Sequence, residues 1–123
     1  MNIEEYREFC LSLPLVEETM PFDDVTLVYK VGNKIFTLAN ITLFERFSVK
    51  CDPELAIELR ERYEWVKPGF HLNKKHWNDV YVNRAYADEF LKEQIVASYK
   101  LVINKSVTPV SLRKELQEII KKV

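Results

Sequence analysis

Val25-Thr26-Leu27-Val28-Tyr29-Lys30-Val31-Gly32-Asn33-Lys34-Ile35-Phe36-Thr37-Leu38-Ala39-Asn40 is the stretch that decides the fold. Its first half alternates, with Val25, Leu27, Tyr29 and Val31 on one face of an extended strand. Gly32-Asn33 is a short hairpin connection, because both residues tolerate positive φ. Lys34 to Asn40 pairs back as a second strand, and Leu43 to Cys51 reads as a third. In that third strand Leu43, Phe47, Val49 and Cys51 point inward and Arg46, Ser48 and Lys50 outward. Sequential strands with short links form an antiparallel meander.

Helical patterns flank the meander. Asn2 caps a first helix, with Glu5 completing a capping box and Tyr6, Phe9, Cys10 and Leu13 as the buried stripe. Glu4, Glu5 and Glu8 read as a solvated face beside the positive helix start, in preference to a cation-binding ridge. Residues 15–24 read as a loop. Asp52-Pro53 opens a second helix, with Leu55, Ala56 and Leu59 as its stripe. Asp88 is read as the cap of a long helix that buries Leu91, Ile95, Ser98 or Tyr99, and Val102. Thr108-Pro109 starts a last helix with Leu112, Leu116, Ile119, Ile120 and Val123 as its apolar stripe. The chain is thus read as one α+β domain over residues 1–123, an antiparallel β-sheet flanked by helices.

Composition narrows the function classes. The chain has 123 residues, 47% hydrophobic and 30% charged, which suits one globular core. Net charge is −1, so any attraction to a polyanion must come from local asymmetry. Residues 1–24 hold seven acids against Arg7, whereas residues 67–84 hold Lys67, Lys74, Lys75 and Arg84 against Asp79. Cys10 and Cys51 are isolated, with no metal or redox motif, and no cofactor is expected. The start lacks a basic segment followed by an apolar run, and no run is long enough to span a bilayer. The expectation is a cytoplasmic protein with no membrane partner.

The unusual residues gather in Lys67-Pro68-Gly69-Phe70-His71-Leu72-Asn73-Lys74-Lys75-His76-Trp77-Asn78-Asp79, which holds both histidines. Phe70–Leu72 and Trp77–Val82 alternate around a polar connection and read as an irregular hairpin with a cationic tip. Lys67, His71, Lys74, Lys75, His76 and Arg84 are the candidate anion-binding or nucleic-acid-binding residues. Pro68 and Trp77 are read as structural, Trp77 as a core anchor and His76 as a residue that orients backbone. Two histidines without nearby acids make no metal site, and neither a catalytic triad nor a glycine-rich phosphate loop is present.

His71-Leu72-Asn73-Lys74 and His76-Trp77 resemble the signature of the MmcQ/YjbR family. Pro21-Phe22, Lys34-Ile35-Phe36, Pro68 and Ser98-Tyr99 fit the same pattern, so the resemblance spans nearly the whole chain. Asn83-Arg84 departs from the Asp-Gly turn often found there. The resemblance implies a frataxin/CyaY-like fold and a family expected to bind DNA through a double-wing arrangement, most of whose members have no established activity. Three readings follow. One is a non-enzymatic binding module with DNA as partner, held by the basic hairpin. Another is a small-molecule or anion site, or an enzyme, using His71 and His76. The last is a protein-interaction domain.

Overall fold

In the computed structural model, which describes residues 1–83 and 87–123, α1 (Ile3–Ser12) precedes a short strand β1 (Glu17–Thr19). The meander follows as β2 (Thr26–Val31), β3 (Lys34–Asn40) and β4 (Arg46–Lys50). Then come α2 (Pro53–Arg62), β5 (Val66–Pro68), β6 (Trp77–Tyr81), α3 (Asp88–Lys105) and α4 (Val110–Ile119), closed by a 3-10 turn over Ile120–Lys122. The strands form one antiparallel sheet in the order β1-β2-β3-β4-β6-β5. This is an α+β fold, an antiparallel sheet flanked by helices. No helix among the described residues is long and apolar enough to cross a membrane.

The caps explain the first two helices. Asn2 accepts from Glu5 N while Glu5 reaches back to Asn2 N, completing the box on α1. Asp52 accepts from Glu54 N at the start of α2, with Pro53 in the first turn. α3 begins differently: Ala87 occupies its cap position with no side-chain bond, and Asp88 is already inside the helix. Gly32 and Asn33 both take positive φ, 55° and 67°, and turn β2 into β3.

The core lies between one sheet face and the helices. Tyr6 of α1 stacks on Phe47 at 5.4 Å and meets Tyr29 edge-on at 5.5 Å. Leu91, Ile95, Tyr99, Val102 and Ile103 of α3 are all buried against the same layer. Strict alternation breaks once. Tyr29 pairs with Thr37 but Lys30 pairs with Ile35, so Phe36 is an extra residue, a bulge. Phe36 and Thr37 are consequently both buried on the helix side, Phe36 against Tyr99 and Thr37 against the Tyr6 hydroxyl. The Ser98 hydroxyl donates to Phe36 O at 2.6 Å and accepts from Lys50 N at 2.8 Å, so the bulge carbonyl stays satisfied inside the core.

Four expectations are corrected. Residues 17–19 form β1, which a three-residue strand with two glutamates does not announce. β4 begins at Arg46, and Leu43 is 67% exposed in the preceding loop, because the chain leaves the sheet at Asn40. Within that loop Asn40 Oδ1 accepts from Thr42 N and Leu43 N. The hairpin's first strand is Val66–Pro68, and Phe70–Leu72 lie in the connection. At the C-terminal helix Leu116 and Ile120 are buried, while Ile119 and Val123 stay exposed.

Candidate functional site

β6 carries the site by its parity. Asn78 and Val80 face the helices; Trp77, Asp79 and Tyr81 face the other side, opposite Lys50, Ser48 and Arg46 of β4. Trp77 is therefore half-buried beside Lys50 and outside the core cluster, a correction to its reading as a core anchor. The buried positions of β6 are instead Asn78, Asp79 and Val80.

Asp79 is 1% exposed and satisfies its carboxylate three ways. Ser48 Oγ donates to Oδ1 at 2.5 Å, Phe70 N donates to Oδ2 at 3.0 Å, and Arg46 Nε lies 3.2 Å from Oδ2. The one carboxylate in residues 67–79 is thus turned inward and consumed. On the helix side, Arg60 of α2 does the complementary work. Its Nε donates to Asn78 Oδ1 at 2.7 Å, and its Nη2 donates to the carbonyls of Lys74 and Trp77. Lys74 Nζ bridges the loop to Gly69 O at 2.9 Å, and Gly69 N donates to Trp77 O at 2.9 Å. A Cβ at Gly69 would stand 3.0 Å from Trp77 Cβ, so a side chain there would press on the facing strand. The connection 69–76 is therefore clamped from both sheet faces.

The candidate residues distribute as follows. Lys67, on β5, pairs in register with Asp79 and shares its sheet face, exposed. His71 is exposed at φ 61°, a left-handed position held by the bond on the preceding Phe70 N. Lys74 and Lys75 are exposed at the tip. His76 is half-buried and positions the loop through its backbone: Cys51 N donates to His76 O at 2.7 Å. Pro68 is the last residue of β5. Arg84 lies outside the described residues. Lys67, His71, Lys74 and Lys75 are all exposed, and His71, not His76, lines a cleft on the adjoining sheet face.

Sequence reasoning missed that cleft. It has a volume of about 620 Å³ and lies on the sheet face away from α1 and α3, lined wholly by strand and loop residues. Phe22, Leu38, Leu43, Phe70 and Leu72 give it apolar walls. Arg46 reaches into it with its guanidinium 5.7 Å from the Phe70 ring and 5.8 Å from the Tyr81 ring. Asp23 lines it too; donation from Val25 N, then from Thr26, holds its carboxyl below the ordinary aspartate value. The available signal was polar residues alternating with apolar ones on β4, combined with the consecutive polar pair Asn78-Asp79. The thiols add no chemistry: burial raises Cys10 far above the usual range and Cys51 to about 11. Among the described residues no group of three or more His, Cys, Asp or Glu could hold a metal.

Comparison with known proteins adds relatives without an assigned activity. A family model described as YjbR matches residues 11–101. The chain is 31% identical to the uncharacterized protein YjbR of Escherichia coli K12, over 97% of this chain and 100% of that one. It is 35% identical to the uncharacterized protein YbdF of Escherichia coli O157:H7, covering 82% and 84%. A crystal structure of Deinococcus radiodurans protein DR2400, with the domain DUF419, superposes with a TM-score of 0.84. That protein is 41% identical, with 94% of this chain and 88% of that chain covered.

Proposed function

The chain belongs to the YjbR family, and from the geometry of its hairpin we propose a non-enzymatic binding module that contacts the phosphates of a nucleic acid. One observation carries this reading. The loop 69–76 is clamped by Asp79 and Arg60, so His71, Lys74 and Lys75 stand on a fixed loop with Lys67 on the adjoining strand, and the one carboxylate within residues 67–79 is buried and paired. A pre-organised basic loop binds anions without first losing loop entropy. Lys74 is exposed and also donates from Nζ to Gly69 O, so it serves both the loop and the surface. Positive charge within reach is all that phosphate contact needs. The six-stranded antiparallel sheet with an N-terminal helix also supports the frataxin/CyaY-like architecture, which we hold as part of the same proposal.

With a net charge of −1 and Lys67, Lys74 and Lys75 exposed, the phosphate-contact part of the affinity is weak, sequence-independent and salt-sensitive. Three phosphate contacts give a slope of log K on log salt of about −2 to −3. The test is a titration of labelled single-stranded and duplex DNA at two salt concentrations, with wild type and with Lys67→Glu/Lys75→Glu. Neither lysine side chain bonds within the fold among the described residues, so the variant stays folded and loses binding. No binding by wild type at low salt, or equal binding by the variant, rejects the proposal.

A further inference from the structure

We propose that the cleft beside the hairpin receives an unpaired nucleobase of a single-stranded nucleic acid, an inference that rests on the phosphate-contact reading above. The two features are joined at Phe70 and His71, which belong both to the clamped loop and to the cleft wall. A strand whose phosphates lie along Lys67, His71 and Lys75 therefore passes the mouth of the cleft.

The chemistry of the cleft selects its occupant. Its volume of about 620 Å³ falls within the range of about 300–1,000 Å³ that takes small organic groups. Phe22 and Phe70 are 66% and 59% exposed, an unusual placement for two large rings on one cleft and one that supplies stacking surfaces. The Arg46 guanidinium adds a planar cation, fixed by Asp79 through Nε and lying by the Phe70 ring. Two carboxylates, Asp23 and Glu45, also line the cleft and oppose entry of a phosphate or carboxylate. A neutral aromatic group meets no such opposition.

The polar groups narrow the choice further. Asn40 Oδ1 is spent on Thr42 N and Leu43 N, which leaves its amide hydrogens for a ligand. Among the described residues no hydrogen bond engages the Nη groups of Arg46. The Ser48 hydroxyl hydrogen is committed to Asp79. The Asn40 amide and the Arg46 Nη groups can donate to carbonyl edges such as those of thymine or uracil, and the Asp23 and Glu45 carboxylates can accept from a ring N–H. A paired base presents neither its face nor its Watson–Crick edge, so duplex is excluded from this contact.

The experiment compares an oligothymidylate of about ten nucleotides with an abasic strand of equal length and with duplex, at low salt, by fluorescence anisotropy. Wild type is expected to bind oligothymidylate roughly tenfold more tightly than the abasic strand or the duplex. Phe22→Ala/Phe70→Ala is expected to erase that difference and keep the abasic affinity, with melting as the check on folding. Equal affinity of wild type for thymidylate and abasic strands overturns the cleft inference and leaves the hairpin reading intact. Absence of binding to every strand overturns both.

Discussion

Asp79 holds more of the site than either histidine does. Its carboxylate ties Ser48, Arg46 and the Phe70 amide, so removing it releases the loop and leaves Arg46 without its partner. Breaking a buried pair typically costs about 3–5 kcal/mol, and the Arg46 side chain is 36% exposed, so Asp79→Ala is expected to cost about 2–3 kcal/mol in urea melts. A cost below about 0.5 kcal/mol contradicts the role given to this carboxylate. Phe47→Ala, in the core and fully buried, is expected to cost about 3–5 kcal/mol, and half-buried Trp77→Ala clearly less. The reverse order would return Trp77 to the core. Gly32 takes φ 55°, and a Cβ there would stand 2.8 Å from Val107 Cγ2, so Gly32→Ala combines backbone strain with overpacking and is expected to cost about 2–4 kcal/mol.

At the level of elements, α1 and β1 are joined by Arg7 and Glu18. The Arg7 guanidinium donates twice to the Glu18 carboxylate, and the Tyr29 hydroxyl donates to it at 2.7 Å. Hydrogen bonding from Arg7, the largest cause, holds the Glu18 carboxyl below its ordinary value of 4.5. A depressed folded value means that the unfolded chain binds the proton more readily. The stabilisation is complete above 4.5 and is lost as pH falls from there through the lower folded value. Glu18→Gln is therefore expected to flatten the acid limb of stability against pH while changing the slope near neutrality little; an unchanged acid limb contradicts the linkage. The elements themselves were largely legible. Period-two alternation and Gly32-Asn33 located β2 and β3, and the Asn2 and Asp52 caps located α1 and α2. β1 was illegible because three residues carry no period, and the Phe36 bulge because alternation cannot announce its own interruption.

For the whole molecule, the clustering of Lys67, Lys74 and Lys75 on one hairpin was legible along the chain, and all three are exposed. The cleft was not, because its walls come from residues 22–48 and 70–72, brought together only by the sheet order β3-β4-β6. The placement of Trp77 was misread for a related reason: parity along β6 depends on which face the helices cover, and that is a tertiary fact. We propose that the clamped loop 69–76, with Lys67 on the adjoining strand, is the surface that meets the partner. The most direct test is amide chemical-shift mapping of the labelled protein during addition of a short single-stranded oligonucleotide at low salt. The account predicts perturbations confined to Lys67, the loop 69–76 and the cleft residues around Arg46, reversed by added salt. Unchanged spectra at saturating oligonucleotide, or perturbations centred on α3 or α4, would contradict it.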